Sequence, residues 1–218
     1  MSLLIFDLDG TLIDSKADLA QATNATRKKM GLAPLPTDVV ATYVGNGAPV
    51  LVKKALGPEF SDEEVAGALE FFLAYYHEHV LDHTGLYPGV REGLDRLRQS
   101  GRASMAVLTN KPIRSTVAIV EGLGLRDYFF RLYGGNSLAQ KKPDPAGILA
   151  LLSENGADRG QTWMVGDSYV DVRTARNAQV RACGVTWGFQ PESFAHDPPD
   201  ILVDRMDQFT DYVLKPAS

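Results

Sequence analysis

Five short runs of continuous apolar, β-favouring residues punctuate the chain: LLIF at 3–6, ASMAVLT at 103–109, TWMVG at 162–166, VRACGVT at 180–186 and DILV at 200–203. They are apolar throughout rather than alternating, which is the signature of strands buried on both faces. Stretches with helical period separate most of them, over 89–99, 113–123, 145–154 and 170–178. Buried strands alternating with amphipathic helices predict a parallel sheet covered on both sides, a Rossmann-like α/β core. Local punctuation agrees: Asp144-Pro145 reads as a helix N-cap followed by a first-turn proline. Gly101 and Gly156 read as helix stops.

The alternation breaks once. From Lys16 to His83 the pattern is helical, interrupted by the proline-containing LAPLPT (32–37) and LGPEFS (56–61). Ser61 followed by Glu64 predicts a capping box opening a helix through EFFLAYYHEH (70–79). This organisation predicts an α/β core domain of residues 1–15 and 86–218, with residues 16–85 inserted as a helical cap domain.

Composition narrows the partners. Among 218 residues the net charge is −5 and Cys183 is the only cysteine. A general nucleic-acid or anionic-membrane binder is not expected at that charge, and neither an intrachain disulfide nor a cysteine metal cluster can form. No signal-peptide pattern and no apolar run of membrane-spanning length is present. The expectation is a cytoplasmic protein, monomer or homodimer, without nucleic-acid or membrane partners.

In an open parallel sheet, ligands bind beyond the carboxyl ends of the strands. The first strand runs into Asp7 and Asp9, which lie two residues apart and therefore on one side of the chain. Like charges that close need a cation or a shared proton between them. Other strand ends and loops contribute Thr109-Asn110, Lys141-Lys142, and Gly166-Asp167-Ser168 with Asp171 beyond. Carboxylates gathered without His or Cys favour Mg²⁺. A lysine and a hydroxyl suit phosphoryl oxygens. One aspartate could attack phosphorus while its neighbour handles the proton.

Blander readings exist for individual residues. Thr109-Asn110 could cap a helix before Pro112, Lys142 could be a solvated lysine, and Asp171 could be a first-turn residue complementing the helix dipole. Gly45-Asn46-Gly47 lacks the third glycine of a dinucleotide fingerprint and the Gly-Lys-Ser/Thr of a phosphate loop. HEHVLDH (77–83) does not complete a HExxH zinc motif, because Leu81 stands at the second His position. Its histidines read as the wet end of a helix. Trp163, Phe71, Phe72, Tyr75 and Tyr76 read as packing.

In order, FDLDGT (6–11), LTN (108–110), KKPDP (141–145) and GDSYVD (166–171) resemble the four motifs of the haloacid dehalogenase superfamily, and the resemblance covers almost the whole chain. It implies that Asp7 is the nucleophile and a Mg²⁺ ligand. Asp9 would be general acid and then base, its carbonyl also on the metal. Thr109, Asn110 and Gly10 would bind the phosphoryl group, and Lys142 would neutralise its charge and hold Asp7. Asp167 would ligate the metal directly and Asp171 through water. Lys142, directly before Pro-x-Pro, fits the motif better than Lys141.

YVGNGAPVLVKKAL (43–56), YPGV (87–90) and GFQPESFAHDPPDILVD (188–204) look like bacterial phosphoglycolate phosphatases. The resemblance therefore implies a small phosphorylated metabolite as partner, 2-phosphoglycolate first, with Gly45-Asn46-Gly47 and Lys53 as candidates to meet its carboxylate. The alternatives are a β-phosphoglucomutase-like phosphomutase and a phosphatase of broader range. The mutase relatives usually carry an arginine in the loop corresponding to VGNG, and none stands here. A dehalogenase should lack Asp9, and a catalytically silent binding protein should have lost one of Asp7, Asp9, Lys142 or Asp167. One departure is Gln179, where many relatives have a turn glycine.

Overall fold

A computed structural model describes residues 1–215. Six strands form one parallel sheet: β1 (Ser2–Phe6), β4 (Ala103–Leu108), β5 (Arg131–Tyr133), β6 (Thr162–Gly166), β7 (Arg181–Val185) and β8 (Ile201–Val203), in spatial order β5-β4-β1-β6-β7-β8. The chain builds outward from β1 through β4 to β5, then crosses back to place β6 on the other side of β1. That reversal makes the carboxyl end of β1 a topological switch point, where neighbouring connections diverge and leave a crevice.

The continuous apolar runs are buried on both faces, as their composition requires. Alternate β1 residues serve opposite layers. Leu4 and Phe6 join Val90, Leu94 and Leu97 of α5 (Val90–Gln99), Ile119 and Val120 of α6 (Ile113–Gly122), and Met206 and Phe209 of α9 (Met206–Leu214). Leu3 and Ile5 join Ile148 and Leu151 of α7 (Ala146–Asn155) and Val172 and Ala175 of α8 (Tyr169–Ala178). The ring of Phe6 meets those of Phe129 and Phe209 edge to face, with centroids 6.4 and 6.1 Å away.

Between β1 and α5 the chain leaves the sheet. It exits through β2 (Ile13–Asp14) and returns through β3 (Gly85–Leu86), and these two short strands pair antiparallel, Ile13 opposite Leu86. In between lie α1 (Lys16–Lys29), α2 (Thr37–Ala41), α3 (Ala48–Leu56) and α4 (Asp62–Glu78). Ser61 and Glu64 form the expected capping box at the start of α4. Buried Asp18 of α1 ties the return crossing to the exit: its Oδ2 accepts from His83 N, Thr84 N and Thr84 Oγ1 at 2.7–3.1 Å. Leu19, Leu51, Phe72 and Tyr76 of this helical block belong to the same apolar cluster as Leu4 and Phe6.

Three features depart from the sequence reading or extend it. β5 and the β2–β3 ribbon were not anticipated, being three and two residues long. Helix α7 starts at Ala146 with Pro145 itself at the N-cap, one residue later than expected; Asp144 stands one position further out, its Oδ1 accepting from Ala146 N at 2.9 Å. Gln179 ends α8 in the left-handed conformation, φ 58°, the one non-glycine residue with positive φ among the described residues. Among the described residues no helix is long and apolar enough to cross a membrane.

Candidate active site

Asp7 directly follows β1, and its N–H still donates to Val165 O at 2.9 Å, so the sheet ladder fixes its backbone. Its Oδ1 accepts from Leu8 N at 2.8 Å and lies 3.0 Å from Lys142 Nζ. The same ammonium is 2.6 Å from Asp171 Oδ1. Asp171 Oδ2 in turn accepts from Ser168 N and Oγ at 3.2 and 3.0 Å, closing a capping box at the start of α8. Asp171 thus fills the first-turn capping position, and both its oxygens are engaged by protein donors.

Carboxylate oxygens of Asp7, Asp167 and Asp171 lie within 4.8 Å of one another, all three buried. Burial, then the repulsion of Asp171, set against the attraction of Lys142, leaves Asp7 pushed up to about 6. Burial together with Asp171 and Asp7 drives Asp167 well above the usual carboxylate range. Burial alone would pull the Lys142 ammonium down, but Asp171 and Asp7 outweigh it and the net shift is upward. One buried cation therefore serves three buried carboxylates. The donor set is all oxygen, and the surplus negative charge suits a hard divalent cation.

Glycines let the acids converge. A Cβ on Gly10, at φ 76°, would overlap the Asp167 carboxylate, and one on Gly166 would overlap that of Asp171. A Cβ on Gly188 would overlap Asp167 and the Gly10 carbonyl, and next to it Phe189 N donates to Asp167 Oδ2 at 2.7 Å. The 188–189 turn escaped the sequence reading as a site element, although GFQ was singled out as a matching stretch.

Thr109 lies across from Asp7, close enough for its hydroxyl to offset part of that carboxyl's upward shift without reversing it. Asn110 behaves differently. Its Nδ2 donates to Gly45 O at 2.8 Å and Lys142 O at 2.9 Å, so both amide protons are spent on backbone, while its buried Oδ1 has no protein partner. Any donation from Asn110 to a phosphoryl group falls to its backbone N–H.

Asp9 is engaged by two residues that lie outside the four motifs. Lys111 Nζ reaches both its oxygens, at 2.8 and 2.9 Å, and Ser15 Oγ donates at 2.5 Å. Lys111 also contacts Tyr76 Oη of α4 at 2.6 Å. Tyr76 packs as expected, stacked on Phe72, but its hydroxyl is part of the site, and burial pushes that hydroxyl up to about 12. Lys111 was readable as a candidate only as the residue after LTN.

These groups line one cleft, walled by Leu19, Val44, Leu51, Phe72 and Leu73 of the helical block and floored by Asp7, Asp9, Thr109, Lys111 and Asp167. Three core side chains grip backbone carbonyls of the loop before α3: Asn110 on Gly45, Lys141 Nζ on Asn46 at 2.8 Å and Gln190 Nε2 on Val44 at 2.8 Å. The neighbouring lysines therefore divide, Lys142 inward and Lys141 to this loop. Gly45 and Gly47 line the cleft, but Lys53 does not; it is exposed and sits 3.4 Å from Asp62. Its expected approach to a ligand carboxylate is corrected, because α3 turns it to solvent. His79 pairs with Asp82 at 2.7 Å and stacks on Tyr75, away from the acids.

Comparison with known proteins agrees with this geometry. Residues 4–185 match the haloacid dehalogenase-like hydrolase family. The chain is 38% identical over its full length to a phosphoglycolate phosphatase of Vibrio vulnificus strain CMCP6, covering 98% of that protein. It is 42% identical to one from Chromobacterium violaceum, covering 86% of each. The crystal structure of a predicted phosphoglycolate phosphatase from Haemophilus somnus 129pt superposes with a TM-score of 0.91 at 33% identity, covering 97% of both chains. With the buried acid cluster, its lysine and the switch-point cleft in place, the chain belongs to the haloacid dehalogenase-like hydrolases, and it is a phosphatase.

Proposed function

We propose that this phosphatase hydrolyses 2-phosphoglycolate to glycolate and phosphate, through an aspartyl-phosphate on Asp7 and with Mg²⁺ as cofactor. The observation that carries the reading is Lys142 Nζ lodged between Asp7 and Asp171 with Asp167 beside them, where Asp7 and Asp167 line a small cleft. The names of the relatives from Vibrio vulnificus and Chromobacterium violaceum support the substrate. So does size. A cavity volume of about 50 Å³, against the ~10–15 Å³ taken by one water-sized sphere, favours a metabolite of few atoms.

Asp7, Asp167 and the Asp9 carbonyl would hold the metal directly, with Asp171 acting through water because its own oxygens are already engaged. When bound, Mg²⁺ supplies charge neutralisation for the acids and for the phosphoryl oxygens. The residues do the rest. Lys142 keeps Asp7 aimed and offers positive charge to the phosphoryl group, and Thr109 donates to it.

Asp7 forms its bond to phosphorus as the bond to the ester oxygen breaks, and Asp9 gives that oxygen a proton. Water then attacks the phosphorus of the acyl phosphate, Asp9 takes the proton, and phosphate leaves with Asp7 restored. Residues 16–85 serve as the cap that excludes bulk water and supplies the apolar wall. Phosphomutase activity has less support, because no arginine lines the cleft among the described residues.

The test is phosphate release from a panel of small phosphomonoesters with Mg²⁺. The expected result is 2-phosphoglycolate leading the panel by orders of magnitude in kcat/KM, with no turnover in EDTA or in Asp7→Asn. Broad, weak activity would remove the substrate assignment. Dependence on a sugar bisphosphate activator would favour the mutase.

A further inference from the structure

We propose that Lys111 is the residue that reads the substrate's carboxylate, so that this phosphatase selects phosphomonoesters carrying an anionic group one carbon from the ester oxygen. The inference rests on the substrate reading above and deepens it. Lys111 lies one residue beyond the phosphoryl-binding Thr109-Asn110 pair and is buried, yet lines the cleft. It is the one cationic side chain in that lining among the described residues. Lys142 is committed to Asp7 and Asp171 and Lys141 to the carbonyl of Asn46, while Lys16 lies outside the lining, its Nζ 5.1 Å above the Phe189 ring.

Position makes the assignment specific. Asp9 must touch the ester oxygen to hand it a proton. In 2-phosphoglycolate a single methylene separates that oxygen from the carboxylate. Lys111 Nζ stands 2.8 and 2.9 Å from the Asp9 oxygens and 2.6 Å from Tyr76 Oη, so a cation waits beside the place where that carboxylate must fall. An ammonium carries three donors and can turn one from Asp9 to a ligand without leaving its seat.

The surrounding wall sharpens the preference. Leu19, Leu51, Phe72 and Leu73 offer no hydrogen bonds, so a carboxylate entering here without a cation would lose its hydration uncompensated. Tyr76 comes from the helical block and Lys111 from the core. The carboxylate-reading position is therefore complete only when the two parts of the chain are together.

The experiment compares 2-phosphoglycolate with ethyl phosphate, which lacks the carboxylate, on the Mg²⁺-loaded enzyme and on Lys111→Met and Lys111→Arg. The wild type is expected to favour 2-phosphoglycolate strongly in kcat/KM. Lys111→Met should cut that ratio by roughly 30- to 5000-fold, the range for losing one partner of a buried charge pair, while Lys111→Arg keeps most of it.

If Lys111→Met turns over too slowly for a ratio, calorimetric binding gives the same comparison: glycolate should weaken and inorganic phosphate should not. If it does not fold, Tyr76→Phe, which keeps the charge but frees its far end, should lower the ratio several-fold. Equal losses for both substrates, or for both ligands, would show that Lys111 serves Asp9 alone and overturn the proposal. A strong wild-type preference left intact in Lys111→Met overturns it too, with the substrate reading standing. A wild type without preference overturns both.

Discussion

Asp7, Asp167 and Asp171 are held together by packing that keeps water away and by a lysine that cannot neutralise all of them. The consequence is a linkage between pH, cation and stability. Asp7 moves from 3.8 to about 6 on folding, so the folded metal-free protein binds a proton that the unfolded chain releases. Metal-free stability should therefore fall as pH rises from about 4 through 6, and Asp167, shifted the same way, adds to the fall. Bound Mg²⁺ would replace those protons. We predict that it raises the thermal midpoint relative to EDTA at pH 7.5 but has little effect at pH 4.5. Equal stabilisation at both values would contradict the linkage.

Gln179 offers a separate test at this scale. Its φ of 58° is where glycine carries no Cβ penalty, and Arg159 keeps its bond to Ala178 O whatever stands at 179. Gln179→Gly should stabilise the protein by about 1 kcal/mol in denaturant melts without altering turnover. The departure from the turn glycine of many relatives was visible at Gln179, and the structure gives its setting, a left-handed residue at the end of α8. Asp7, Asp9 and Asp167 stood out because strand ends in a parallel sheet share an edge. Lys111 did not, because a lysine after a strand end is ordinarily solvated. What buries it is Tyr76, which arrives from another helix, a contact no local pattern encodes.

Among the elements, the loop before α3 is held through its carbonyls by Asn110, Lys141 and Gln190. Backbone acceptors gripped by side chains can be released one at a time. Gln190→Ala removes the bond to Val44 O and the longer one to Thr42 O at 3.4 Å. A hydrogen bond contributes about 1 kcal/mol net, so hydrogen exchange across residues 42–51 should quicken about five-fold, with the sheet unaffected. An unchanged rate would mean that the other two grips suffice. Long elements were legible because burial imposes a period: the apolar strands announced both helical layers, and Ser61 with Glu64 announced the start of α4. The two-residue strands β2 and β3 carry no period, and three-residue β5, with Arg131 and Tyr133 bonded to Glu154, reads as polar edge. Only pairing across the fold defines them.

For the molecule as a whole, strand order and insertion point act together. The order in which strands are added reverses at β1, so its carboxyl end opens to a crevice, and the chain leaves for the helical block only a few residues beyond Asp7. The same stretch thus delivers the proposed nucleophile and the wall that covers it. The β2–β3 pair and the Asp18 contacts tie the two crossings between sheet and helical block, and a cap that opens and closes would turn there. Structures with and without a phosphate analogue should differ by a rotation about residues 13–18 and 83–87, and an unchanged orientation would count against a moving cap.

The central claim is that phosphate leaves its substrate by way of Asp7. The most direct measurement is acid quenching of the Mg²⁺-loaded enzyme during turnover of 2-phosphoglycolate, followed by mass mapping of the peptides. The account predicts a phosphoryl group on the peptide carrying Asp7, absent from Asp7→Asn and from enzyme quenched without substrate. Turnover with no covalent phosphate at any quench time, or with the phosphoryl group on another residue, would contradict it.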